Sequence, residues 1–229
     1  MRQAAGSVAA ALVLAACQIA EQPVSHDRLV RFFDDLVFGT DYGLERPGPK
    51  EIRKWTETIR VKITGQEADK YRPEVEAQLG RVAQLTGVEF EISELSLAEA
   101  NYEVRFVPTK EFLVNKEYVP CAVGTDGNNG VIEKIRIVIS TAEKGFIKGC
   151  ITHEIMHSFG FGKHSGIIRS VLSPLHGEED FTPWDEIVLR TLYDPRLRPG
   201  MTREEATPIA DGILREVVSQ PRVLQRNSD

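Results

Sequence analysis

The residues able to do chemistry crowd into one stretch, Cys150-Ile-Thr-His-Glu-Ile-Met-His-Ser-Phe-Gly-Phe-Gly-Lys-His164. His153 and His157 are four residues apart, so on a helix they lie one above the other on one face. Two neutral imidazoles held that way can grip one Zn²⁺ at ~2.0–2.1 Å. Glu154 projects to one side of that face: it can reach a water at the metal but is poorly placed to be a ligand, as a general base requires. Three of the five histidines fall within this stretch. The competing reading is a histidine pair stacked in the core and satisfied by hydrogen bonds. The glutamate between them, on an otherwise apolar helix, favours the metal.

Gly160 is placed to close the helix in a left-handed conformation, so that the chain reverses and returns His164 towards the pair. Three protein ligands with one open position is the arrangement of catalytic rather than structural zinc. The chemistry this implies is hydrolysis at a polarised carbonyl, with Glu154 activating water and then passing the proton to a leaving nitrogen.

His153-Glu-Ile-Met-His157-Ser-Phe-Gly160 followed by His164-Ser165 resembles the metal-binding stretch of the metzincins, especially the matrixin-like metallopeptidases. Downstream, Ser170-Val-Leu-Ser-Pro174 resembles their tight turn beneath the zinc, and Phe181 to Tyr193 resembles their C-terminal helix. Over roughly residues 50–205, including Leu192-Tyr-Asp-Pro-Arg-Leu-Arg-Pro-Gly-Met201, the chain is closer still to an uncharacterised bacterial family of exported proteins and lipoproteins distantly related to metzincins. The resemblance implies a zincin-like α+β fold, a zinc ion on His153, His157 and His164, Glu154 as catalytic residue, and a peptide or protein substrate. It also implies that Ile132–Ile139 is an inner strand and that residues near 118–123 form the edge beside the cleft, where an extended peptide can add by backbone hydrogen bonds.

Two departures stand out. His164 is eleven residues after His153 where the metzincin pattern has ten, and Leu172 occupies the turn position of the usual methionine. An insertion inside the helix would rotate everything after it by about 100°, but a loop with two glycines can bulge. Leucine has a volume similar to methionine and can still floor the site. His176 with Glu178-Glu-Asp180 is the rival source of a third ligand, against a plain solvated loop. Tyr193 is read as packing or as support for the site, and His26 as unrelated.

The elements that must position these residues follow from periodicity. Thr58–Thr64, Val88–Ile92, Tyr102–Val107 and Ile132–Ile139 alternate as strands, with an interrupted edge segment at Tyr118–Val123 and a turn over Asp126–Gly130. Helical spacing marks 27–38, 71–85 closed by Gly87, 146–159, a helix capped by Thr182-Pro-Trp-Asp185, and another capped by Thr202 and Glu205. Residues 160–180 read as irregular. The order suggests an α+β domain on one twisted mixed sheet packed on helices.

The chain has 229 residues, a formal charge of −6 and 41% hydrophobic residues, an ordinary globular composition without a basic footprint for nucleic acid. Residues 1–16 hold a nine-residue apolar run, too short for a bilayer, which needs about 20 residues, and fitting a secretory signal. The run ends in Leu14-Ala15-Ala16-Cys17, which resembles the bacterial lipoprotein processing box, and Gln18 resembles outer-membrane sorting. Cys17 is therefore expected to carry lipid and attach the protein to the membrane, facing the periplasm or exterior. The plainer alternative is an ordinary cleaved signal. In such an exported chain Cys121 and Cys150 are candidates for a disulfide, their alternatives being small buried hydrophobes or ligands.

The expected organisation is a signal over 1–16, a tether and peripheral segment over 17–50, a zincin-like domain over 51–200 and a C-terminal helix and tail over 201–229. The expected function is a zinc-dependent endopeptidase acting on cell-envelope or extracellular proteins. The alternative is a non-catalytic lipoprotein module that keeps the fold to bind envelope proteins or cell-wall components. Glu154 favours catalysis, while the inserted residue and the absent turn methionine favour the module. Bond preference and oligomeric state are not encoded in any motif we find.

Overall fold

Alternating apolar and polar residues make the central sheet one-sided. The computed structural model describes residues 24–39, 48–92, 96, 99–108, 113–114 and 117–219. The expected signal, Cys17 and the C-terminal tail lie outside them. In chain order the elements are α1 (His26–Phe38), β1 (Ile59–Gly65), α2 (Ala68–Thr86), β2 (Phe90–Ile92), β3 (Tyr102–Val107), β4 (Leu113–Val114), β5 (Glu117–Tyr118), β6 (Cys121–Asn128), β7 (Val131–Ser140), α3 (Ile147–Ser158), α4 (Pro183–Tyr193) and α5 (Arg203–Val218). This is a mixed α/β arrangement consistent with the expected α+β class.

The five-stranded sheet has the order β2-β1-β3-β7-β6, and β4 with β5 forms a separate two-stranded ladder. Strands β2, β1, β3 and β7 are parallel neighbours, whereas β6 runs antiparallel to β7 at the edge. Ile59, Val61, Ile63, Tyr102, Val104, Phe106, Ile135, Ile137 and Ile139 are buried on one face. On the other face the register sets Lys62 beside Glu103 and Glu103 beside Arg136, opposite charges in favourable cross-strand positions. Helices α2 and α3 cover the apolar face, through Val75, Leu79 and Val82 of α2 and Ile147, Ile151 and Ile155 of α3.

The edge differs from its expectation in one respect. Strand β6 starts after Pro120 and runs on to Asn128, because an irregularity between Asp126 and Gly127 absorbs one residue of register. The turn shrinks to Asn129-Gly130, with φ of 49° and 75°. Two left-handed residues suit a two-residue hairpin. Both capping boxes form: the hydroxyls of Thr182 and Thr202 accept from the backbone N–H of Asp185 and Glu205, and those carboxylates accept in return.

Helix α1 is no appendage. Leu29, Phe32, Phe33 and Leu36 are at most 2% exposed and join the same core as the sheet. At about 1.5–3 kcal/mol per fully buried large apolar side chain, these four contribute about 6–12 kcal/mol, comparable to the net stability of a whole domain. The segment read as peripheral thus contains a helix integral to the core, and α5 is equally integral through Ala206, Ala210, Ile213 and Leu214. The amphipathic pattern shows which face is apolar but not what covers it. No helix among the described residues is long and apolar enough to cross a membrane.

Candidate metal centre

Helix α3 is buried on most of its circumference, which explains its weak amphipathicity. His153 and His157 lie on the face turned to a cleft of about 1400 Å³, and their rings meet edge-on with centroids 4.6 Å apart. After the helix, Gly160 takes a φ of 101° and passes so close to Arg53 that a Cβ there would fall 1.9 Å from its carbonyl oxygen. The chain then buries Phe161 and returns His164 to the helix. The eleven-residue spacing is accommodated in the loop, and the helical pair is undisturbed.

The three Nε2 atoms form a nearly equilateral triangle: 3.1 Å from His153 to His157, 3.2 Å from His157 to His164 and 3.2 Å from His164 to His153. Zinc–nitrogen distances of about 2.0–2.1 Å require tetrahedral edges of about 3.3–3.4 Å, so the triangle fits a metal with little adjustment. The other ring nitrogens explain why the Nε2 atoms face inward. Nδ1 of His153 is 2.8 Å from the Val171 carbonyl oxygen and Nδ1 of His157 is 2.5 Å from that of Phe161. A carbonyl only accepts, so Nδ1 carries the proton and Nε2 presents a lone pair, the usual orientation of a metal-binding histidine. Burial, with His164 adding to it, holds His153 down at about 4. Burial and both neighbouring imidazoles hold His157 well below its ordinary value. Converging lone pairs repel one another unless a cation lies between them. The cluster can therefore hold a metal ion.

Glu154 is 4% exposed and lines the same cleft. Among the described residues it has no hydrogen-bond or ion-pair partner, and burial pushes its carboxyl up to about 8. A carboxyl perturbed by burial and lining a cleft is characteristic of functional positions.

The turn Ser170–Leu172 sits against the histidines through its backbone. Val171 accepts from His153, and the Leu172 carbonyl accepts from the Ser165 N–H at 3.3 Å. The Leu172 side chain is wholly buried in the apolar core. Asp185 fastens the turn, accepting from the Ser170 hydroxyl at 2.5 Å and from the Val171 N–H at 3.2 Å, besides capping α4 through Thr182. Its cap role is visible in the sequence; its grip on a turn fourteen residues upstream is not.

Cys121 and Cys150 form a disulfide, which pins the start of edge strand β6 to α3 one turn before His153. The bridge and residues of β6 line the cleft, as do Val171, Ser173 and Gly177.

The remaining histidines lie elsewhere. His176 is exposed and outside the cluster, Glu178 pairs with Arg169, and Asp180 pairs with Lys148. His26 is 2.5 Å from Asp211. The Tyr193 hydroxyl accepts from the Trp55 N–H and donates to the Phe159 carbonyl, so it serves packing. Sequence reading missed Lys54, whose buried ammonium donates to the carbonyls of Leu192 at 3.0 Å and Leu197 at 2.8 Å, satisfying the end of α4. A lone lysine in a loop gives no signal for that role.

The chain belongs to the family described as Protein of unknown function (DUF2927), whose model matches residues 26–211. No curated protein matches it. The match includes α1 and most of α5, in keeping with their place in the core.

Proposed function

We propose that this member of the DUF2927 family is a zinc-dependent endopeptidase of metzincin type, anchored by lipid on Cys17 to the bacterial outer membrane and acting on proteins of the envelope or exterior. The observation that carries the reading is the convergence of three Nε2 atoms, two of them fixed as lone-pair bearers, beside a buried glutamate in an open cleft. The donor set, three histidines with an open side, is that of catalytic zinc. Zn²⁺ bound there supplies Lewis acidity for a scissile carbonyl and an attacking water.

The chain's own residues do the rest. His153 and His157 are held in the correct tautomer by Val171 and Phe161, so their Nε2 atoms are free to ligate without prior proton loss. Glu154 takes a proton from water at its carboxylate and delivers it to the leaving amide nitrogen. The general base must be ionised, and a dication close by favours that form against burial. The outer edge of β6, unpaired among the described residues, offers backbone groups to an extended peptide, while the disulfide holds that edge in place beside α3.

The rival reading, a binding module that only keeps the fold, leaves Glu154 without a purpose. The test compares wild type with Glu154→Ala and His164→Ala for zinc content and turnover of an unstructured protein. The proposal expects zinc in wild type and Glu154→Ala, turnover only in wild type, and loss of zinc in His164→Ala. Full zinc occupancy without Glu154-dependent turnover would sink the enzyme reading and leave the module.

A further inference from the structure

His153 and His157 inherit their positions from α3, but His164 sits on a segment with neither helix nor strand, reached through Gly160 and Gly162. Productive metal geometry needs ligands placed within about 0.5 Å, and a loop lengthened by one residue cannot guarantee that alone. Three contacts from α1 bracket His164. The Lys163 N–H donates to the Leu36 carbonyl at 3.2 Å, the Ser165 hydroxyl donates to the Asp35 carboxylate at 3.1 Å, and the Arg28 guanidinium donates to the Ile167 carbonyl. Ser165 is 2% exposed, and its own N–H is tied to Leu172.

The composition of α1 carries a second sign. Asp34 and Asp35 lie near the C-terminal end of the helix, where the helix dipole disfavours negative charge, and the last turn has no basic residue. Asp34 is accounted for by its ion pair with Arg203 of α5. Asp35 takes its one side-chain hydrogen bond among the described residues from Ser165, the residue after His164, with Arg203 and Arg31 acting on its charge from further off. With His26 paired to Asp211 at its other end, α1 is fixed on α5 and can act as a rigid support.

Resting on the metal reading above, we infer that α1 forms part of the frame of the metal centre and that Asp35, acting through Ser165, is a positioning residue for His164. The extra residue of the loop is tolerated because a helix outside the metal-binding motif supports the third ligand.

The test is zinc affinity of the full chain by chelator competition, with unfolding of the metal-free protein measured in parallel. Loss of a hydrogen-bond partner of a metal ligand itself typically weakens affinity about 10–100-fold; Asp35 and Ser165 act one bond further out, so Asp35→Leu and Ser165→Ala should each weaken it at the low end of that range, about 10-fold. Asp35→Asn keeps an acceptor oxygen and should stay within about threefold of wild type. The double variant Asp35→Leu/Ser165→Ala should be little worse than either single one, because both remove the same bond. If Asp35→Leu and Ser165→Ala destabilise the metal-free protein while leaving zinc affinity within about threefold, Asp35 only packs the helix and the inference is overturned. A wild type that binds no zinc, or binds it no more tightly than His164→Ala, overturns the metal reading itself, and this inference with it.

Discussion

Reducing the Cys121–Cys150 bridge releases a loop whose ends are 29 residues apart in sequence. In the chain-entropy account, cross-linking removes about 2.1 + 1.5R ln n cal/mol/K from the unfolded state, where n is the loop length, or about 3.6 kcal/mol at 25 °C for this loop. With a urea dependence of about 2–3 kcal/mol per molar, the unfolding midpoint of the reduced protein should fall by about 1.2–1.8 M. The assay is urea unfolding followed by far-UV circular dichroism, with and without reductant. Cys121→Ala/Cys150→Ala provides a control that cannot re-form the bond. It should match the reduced wild type apart from a small further loss, since Cys150 is 5% exposed and its sulfur packs in the core. Zinc content should survive, because Ile147, Ile151 and Ile155 hold α3 on the sheet without the bridge. A midpoint shift below about 0.4 M would refute the loop-closure argument and mean that the unfolded chain already keeps these segments close.

Three further outcomes follow from single positions. Gly160→Ala should cost about 3 kcal/mol in urea unfolding, because its φ of 101° is unfavourable for an L side chain and the added Cβ meets the Arg53 carbonyl; a loss below 1 kcal/mol would show that the loop has another path. Leu172→Met conserves volume in a buried site and should change stability by less than about 1.5 kcal/mol while retaining zinc; loss of zinc would mean that the side chain is more than apolar filling. Burial brings Lys54 down from its ordinary 10.5 to about 8, so its cost to folding is full below about pH 8 and fades as pH rises towards 10.5. Wild type should therefore gain stability over that interval relative to Lys54→Met, and parallel pH profiles for the two proteins would contradict this.

The parts of the site legible in the sequence are those governed by local period. The i, i+4 pair on α3, the caps at Thr182 and Thr202, and the alternating strands each depend on a few neighbouring residues, and the structure keeps all of them. The return of His164 was legible as a possibility, since Gly160 allows reversal, but whether an eleven-residue spacing still converges depends on Phe161, Leu36 and Leu172, which are distant in sequence or carry no chemistry of their own. The run of β6 through Asp126–Asn128 was hidden because Gly and Asn there read as turn formers, while pairing with β7 overrides that tendency. The role of α1 was hidden for another reason. Its apolar stripe was clear, but a stripe does not name its partner, and the helix that looked peripheral is hydrogen-bonded to the loop of His164.

If Glu154 works beside a metal held by three histidines, removing its carboxylate should abolish cleavage without releasing the metal. Wild type and Glu154→Gln, each with its zinc content determined, are incubated with an unstructured protein and the new amino termini counted. One zinc is expected in both proteins, with a fall in cleavage of at least about 100-fold in Glu154→Gln, since general acid–base catalysis contributes typically 10²–10⁴-fold. Equal cleavage by both, or none by a fully zinc-loaded wild type across a panel of unstructured substrates, would contradict it.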